Sequence, residues 1–315
     1  VARAVWALLS RFDVLHAHLA STLTPFAMWA AHALGRPVVC KVACGGAYFD
    51  FRSLRLASIF GAVLERSLVR SVDRWVAISH EVSNDLVRAG VPAERIVSIP
   101  NGIDPSAFHP KTSPGLVRKF VCLGRMEKFD LGTLFGAFDE LLRSVGDAEL
   151  RLAGHMNIPQ ARKTLQAYPL ARARTTLCGL SRTEDELGWA DAFVLPSLAE
   201  GMSNALLEAM TMGLPCIASD IAPNREVLND GAAGLLAPLR DVRAWSAAME
   251  LLAREPSTAQ MFGRAGRARI EREFTISSVA DRLHALYRAI QPNASAESPR
   301  LAPKELRPSE SNKDT

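Results

Sequence analysis

No run of this 315-residue chain supplies the ~20 apolar residues that a helix needs to cross a bilayer; the longest apolar segments, residues 25–34 and 54–72, are too short or are broken by Arg and Glu. The chain is therefore expected to be soluble, or at most peripheral at a membrane. It also lacks any C-x-x-C pair. Its five cysteines, Cys40, Cys44, Cys122, Cys178 and Cys216, lie mostly inside apolar runs, which argues against a metal site and fits the reduced thiols of a cytoplasmic protein. Nor is there a strong charge of one sign. The formal net charge is +4, and up to Thr112 there are 12 Lys and Arg against 8 Asp and Glu, an excess that fits a solvated surface better than a nucleic-acid face. The opening VARAVWALLSRFD mixes Arg and Trp into a helical pattern and meets a strand instead of a small-residue cleavage site, so no signal peptide is expected. Glycine is missing from the first 34 residues, whereas a doubly wound half usually opens with a strand and a Gly-rich turn. The first domain is accordingly expected to be short, or to lack its first elements.

What is present alternates. Short apolar runs (FDVLHAH, PVVCKVA, RWVAIS, RIVSIP, then RKFVCLG, AELRLAG, ARTTLCG, DAFVLP, LPCIAS, AGLLAP) are separated by longer helical patterns. Strands that are apolar on both faces and joined through helices predict parallel sheets covered by helices on each side. Two series joined near NGIDPSAFHPKTSPG predict an α/β chain of two Rossmann-like domains, residues 1–112 and 113–275. Three helical patterns follow Asp241. The last, with Val279, Leu283, Leu286 and Ile290 on one face, is expected over residues 276–291 to pack back on the first domain, and the polar tail 292–315 is expected to be disordered.

The chemistry concentrates in PSLAEGMSNALLEAMTMGLP, residues 196–215. In open parallel sheets ligands bind beyond the carboxyl ends of the strands, and DAFVLP ends there. A helix starting near Ser203 would aim free N–H groups and a positive dipole end at an anion such as a diphosphate, and Gly201 permits close backbone approach. Arg125 and Lys128, beyond the strand RKFVCLG, could meet that anion from the other side and neutralise a leaving diphosphate without a metal. Glu208 could accept hydrogen bonds from a nucleotide's sugar hydroxyls while Glu200 faces the reacting group. Paired carboxylates also mark glycoside hydrolases, and a helix merely capped by Ser203 or Asn204 is the plainer reading.

The block EGMSNALLEAMTMGLPCIASD resembles the E-x7-E signature of glycosyltransferase family 4, the retaining nucleotide-sugar transferases of the GT-B fold. FDVLHAH, AISHEV, VSIPNGIDPSAFHP, CLGRMEK, LRLAGHM and NREVLNDGAAGLLAP extend the likeness over residues 11–290. The resemblance implies two domains facing across a cleft, the second binding a nucleoside-diphosphate sugar as co-substrate with no further cofactor, the first binding a glycan, lipid-linked or small-molecule acceptor. It implies that Glu208 contacts the ribose, Glu200 holds the transferred sugar, the backbone of Gly201, Met202, Ser203 and Asn204 holds phosphate, and Arg125 and Lys128 take the diphosphate. Lys128 follows Arg125 by three residues where the family spacing is five. In KVACGGAYFD, Ala43 and Cys44 stand where many members carry a histidine, and Gly45 and Gly46 are expected to preserve a close approach to the donor. His16 and His18 are candidates for the acceptor side, and Asn101 and Gly102 for the border of the cleft. An Arg-bearing helix over residues 52–74 with Leu56, Ile59, Phe60, Val63 and Leu64 on one side is expected to be a solvated outer face, with contact to the inner membrane surface the second reading. A catalytically inactive or truncated nucleotide-sugar-binding chain is the alternative to the enzyme.

Overall fold

A computed structural model describes residues 11–46, 49–57, 59–110 and 115–291; the opening helical pattern of residues 1–10, part of the joint at 111–114 and the tail 292–315 lie outside them. All ten apolar runs form strands, in two wholly parallel sheets. The first holds β1 (Leu15–His18), β2 (Val38–Val42), β3 (Arg74–Ala77) and β4 (Ile96–Ser98) in the order β1-β2-β3-β4. Its helices are α1 (Thr24–Ala33), α2 (Asp50–Ala57), α3 (Gly61–Ser71) and α4 (His80–Arg88). The second sheet holds β5 (Lys119–Arg125), β6 (Glu149–His155), β7 (Thr175–Gly179), β8 (Ala192–Leu195), β9 (Cys216–Ser219) and β10 (Leu235–Ala237), ordered β10-β9-β8-β5-β6-β7. Around it run α5 (Leu131–Ser144), α6 (Ile158–Leu165), α7 (Pro169–Arg174), α8 (Thr183–Trp189), α9 (Asn204–Thr211), α10 (Ala222–Leu228), α11 (Val242–Arg254) and α12 (Pro256–Glu273), and the last helix, α13 (Ile276–Ile290), returns to the first sheet.

Each sheet is buried on both faces, which is why its strands read as continuous apolar runs. Trp75 and Phe51 meet edge-to-face under the first sheet, and Phe120 and Phe138 do so under the second. The other face of the first sheet is closed by α13, whose Val279 and Leu286 form one buried cluster with Val39, Val76 and Ile99. The chain passes between the halves twice, and the two passes bond to each other: Ile103 N–H donates to the Phe274 carbonyl (2.8 Å) and Ile276 N–H to the Ile103 carbonyl (2.8 Å).

One expected element divides. Residues 52–74 do not form a single helix: α2 ends at Ala57, α3 begins at Gly61, and Arg74 opens β3. The two helices cross so closely that a Cβ on Gly61 would lie 2.5 Å from the Leu54 carbonyl oxygen, and Arg55 of α2 pairs with the buried Glu65 of α3. Both helices bury one stripe against the same core, so an i, i+4 pattern runs unbroken through the turn. No helix among the described residues is long and apolar enough to cross a membrane.

Candidate active site

In the second sheet the chain runs outward from β5 through β6 to β7, then returns to place β8 on the other side of β5. That reversal opens a crevice between the carboxyl ends of β5 and β8, the position where open α/β sheets bind ligands. The two loops that leave it are joined. Asp130 N–H donates to the Pro196 carbonyl (2.9 Å) and Leu198 N–H to the Lys128 carbonyl (2.8 Å), with Phe129 and Ser197 bridged between. Residues 126–128 make one turn of 3-10 helix, whose three-residue period brings Lys128 to the same side as Arg125. The shortened spacing therefore still delivers both cations to one place.

They line a cavity of about 500 Å³ between the halves, with Glu200, Met202, Ser203, Asn204 and Ala205 from the second and His18, Lys41, Ala43, Cys44 and Asn101 from the first. Ser203 is the N-cap of α9: its hydroxyl accepts from Leu206 N–H (3.3 Å), leaving the earlier N–H groups of the first turn at the cavity. Glu200 accepts from the Ser197 hydroxyl (3.0 Å). Burial pushes its carboxyl above the ordinary range, against the pull of Lys128, the Ser197 hydrogen bond and Arg125. Lys128 Nζ also lies 3.3 Å from Cys44 Sγ, across the gap between the halves. Asp50, buried at the start of α2, accepts from the N–H groups of Ala20 (3.4 Å) and Ala43 (3.3 Å) and so holds the loops after β1 and β2 together. Among the described residues no cluster of His, Cys, Asp and Glu is arranged to hold a metal ion.

Against known proteins, residues 1–107 match the glycosyltransferase family 4 model and residues 117–255 the model of glycosyl transferases group 1. A glycogen synthase of Mycobacterium tuberculosis is 30% identical over 308 residues, covering 92% of this chain and 72% of that protein. This chain belongs to glycosyltransferase family 4. An alpha-maltose-1-phosphate synthase of Mycolicibacterium smegmatis is 27% identical over 89% of the chain and 74% of its own length. The fold also matches that of Anabaena Alr3699/HepE, solved with UDP and glucose, at a TM-score of 0.79 and 15% identity over 92% of this chain and 81% of that one. The two facing parallel sheets are those of a GT-B glycosyltransferase.

Within this transferase the expected site residues divide. Glu200, Arg125, Lys128, Met202, Ser203, Asn204 and His18 meet at the cavity. Gly201 does approach another backbone closely, but that backbone is Ala43 of the first half: a Cβ on Gly201 would lie 2.1 Å from the Ala43 carbonyl oxygen. Gly45 and Gly46 do not line the cavity and turn toward α4; Gly46 N–H donates to Asp85 (2.7 Å), and a Cβ on Gly45 would meet Asp85 and Glu81. His16 is withdrawn from the cleft under α13, its Nδ1 2.5 Å from the Tyr287 hydroxyl, and burial lowers its pKa to about 4. Lys41, which no motif marks, also lines the cavity. A lysine inside the apolar run VVCKV was the signal available for it.

Glu208 stands outside this cavity, on the second turn of α9 and within the field of Glu184. Burial and that like charge push its carboxyl up to about 7. Because the folded-state pKa lies above the unfolded value of 4.5, the fold binds this proton more tightly than the unfolded chain does. The associated stability is complete at low pH and is lost as pH rises toward 7. Glu208→Gln should therefore raise the melting temperature at about pH 8 and give a smaller gain at about pH 5; equal melting temperatures at the higher pH would show that the carboxylate ionises without cost.

Proposed function

We propose that this glycosyltransferase moves a sugar from a nucleoside-diphosphate donor to a hydroxyl of a glycan, lipid or small-molecule acceptor, with retention and without a metal ion. The convergence of Arg125, Lys128 and the amino end of α9 on one cavity at the topological switch point carries this reading. As the bond from sugar C1 to the diphosphate oxygen breaks, the electron pair leaves with the diphosphate. An arginine fork, a lysine point charge and a helix dipole meet that charge. Glu200 holds the transferred sugar, and Glu208 accepts from the nucleotide ribose. UDP bound to Alr3699/HepE, whose fold this chain shares, supports a nucleotide-sugar donor.

The test is calorimetric titration of the purified chain with UDP, GDP and ADP in metal-free buffer. One nucleotide should bind selectively, and Glu208→Ala should weaken it by more than about tenfold, since a charged acceptor of two hydroxyl hydrogen bonds is removed. Unchanged affinity in that variant would remove Glu208 from the ribose site. A binding-only chain is the second reading, favoured by Ala43 and Cys44, which bring no imidazole to the cavity. Nucleotide binding without transfer to any acceptor would select it.

The outer face of the first half supports contact with the inner, cytoplasmic surface of a membrane. Leu56, Ile59, Phe60 and Val63 of the α2–α3 turn are 80%, 94%, 62% and 61% exposed, with Arg52 and Arg66 beside them. Apolar tips among cations suit an anionic lipid surface. The five free cysteines suit a reducing compartment.

A further inference from the structure

The cavity contains one cation for which the donor has no evident use. Lys41 lies on β2 between Cys40 and Val42, both fully buried, and strand alternation turns it to the opposite face, the one that α13 covers at the level of Val39. One pleat nearer the carboxyl end that cover is gone, and Lys41 lines the cavity with His18, its neighbour in register on β1. Its ammonium is aimed. Nζ donates to Asn101 Oδ1 (2.8 Å), while the Asn101 amide donates to Asn204 Oδ1 (2.9 Å) and to the Met202 carbonyl (3.3 Å). Two side chains and one backbone carbonyl, drawn from both halves, thus fix where the charge sits, using one of the three N–H bonds of the ammonium.

The charges around Lys41 are unbalanced. The titratable groups facing it are His16 and His18 from β1, Arg125 from the end of β5, Lys128 from the turn that follows, and Glu200 from the loop after β8. The one carboxylate among them is held by Ser197 and faces Lys128 and Arg125. Among the described residues Lys41 has no ion-pair partner; burial lowers its pKa, and burial first, then its charge among the neighbouring ones, lowers those of His16 and His18. A partly buried ammonium without a counter-charge is unfavourable unless a ligand supplies one. The donor diphosphate is not that ligand in the arrangement proposed above, because it is met by Arg125, Lys128 and α9, and the Asn101 amide stands between Lys41 and the amino end of that helix.

We infer that Lys41 and His18 bind an anionic phosphate group carried by the acceptor, so that this transferase glycosylates a phosphorylated acceptor, either a soluble sugar phosphate or a polyprenyl-phosphate-linked one. The inference rests on the donor reading for its direction, since the second half takes the nucleotide and the first half the acceptor. A cavity of about 500 Å³ lies within the range of small-molecule sites.

The experiment is calorimetric titration of the whole chain, with and without saturating nucleotide, using α-D-glucose 1-phosphate, glucose and inorganic phosphate. A parallel flotation assay uses phosphatidylcholine vesicles with and without polyprenyl phosphate. A phosphate-bearing probe should bind where its phosphate-free counterpart does not, in the soluble arm or the vesicle arm according to the source. Lys41→Met should weaken that probe by about tenfold or more, Lys41→Arg should restore part of the loss, and nucleotide affinity should stay within about twofold. His18→Asn, a milder change at an exposed strand end, should weaken the same probe if Lys41→Met fails to fold. Equal loss of nucleotide and phosphate probe in Lys41→Met would reassign Lys41 to the donor diphosphate and overturn the inference. So would wild-type protein that prefers no phosphate-bearing probe in either arm. Failure of the wild type to bind any nucleotide would instead sink the donor reading, while the phosphate arms still report on Lys41.

Discussion

Removing the Arg125 side chain should lower kcat by about 10²- to 10³-fold while weakening nucleotide binding much less. The asymmetry follows from when the charge appears. A bound diphosphate ester already carries negative charge that Lys128 and the first turn of α9 can meet, but the oxygen that leaves C1 gains charge only as the bond breaks. Arg125 ends β5 and lines the crevice at the switch point, so its guanidinium is positioned by a strand and not by a mobile loop. Arg125→Lys keeps the charge and loses the planar fork, and should recover part of the rate. Lys128 is a less clean probe. It is the first of the groups that favour the ionised form of Glu200, so Lys128→Ala would raise the Glu200 pKa further and move the pH profile as well as the rate. Steady-state turnover of the nucleotide sugar selected by titration checks both, and a rate unaltered in Arg125→Ala would take Arg125 out of the chemistry.

The parts legible in the sequence are those where one stretch of chain carries both the element and its purpose. Parallel strands buried on both faces leave continuous apolar runs, and all ten became strands of two sheets. The E-x7-E block is likewise a continuous strand, loop and helix, so Glu200, Ser203 and Asn204 could be located from their spacing along it. What could not be read depends on chain segments that meet only in the fold. The break between α2 and α3 is hidden because both helices bury the same side. Gly201, Gly45 and Gly46 announce close approaches without saying to what; Gly201 meets Ala43, and the other two meet α4. His16 and His18 are equivalent in the sequence, two residues apart on one strand, and the packing of Tyr287 from α13 separates them. Lys41 gains its meaning only from Asn101, 60 residues away, and from Asn204 beyond it.

Gly201→Ala should abolish most turnover while each half stays folded. The added Cβ would lie 2.1 Å from the Ala43 carbonyl oxygen, 2.8 Å from its carbon and 3.0 Å from Ile78 Cδ1, all in the first half. Two of those atoms are backbone, held where Ala43 N–H meets the buried Asp50, so no side-chain rotation relieves the overlap. The first half must move away from the loop after β8. That movement lengthens the links that cross the gap beside it: Lys128 to Cys44, and Asn101 to Met202 and Asn204. Arg125, Lys128 and the amino end of α9, the groups proposed to meet the diphosphate, all belong to the second half, move together and keep their mutual geometry. Nucleotide affinity should therefore change by no more than about twofold to threefold, whereas an acceptor held by the first half is displaced from C1 by a distance of order 1 Å, which costs about 10²-fold in rate. Measuring kcat beside the nucleotide Kd separates the two effects. A variant that turns over at the wild-type rate would mean that the halves work at a wider spacing than the one that brings Gly201 against Ala43.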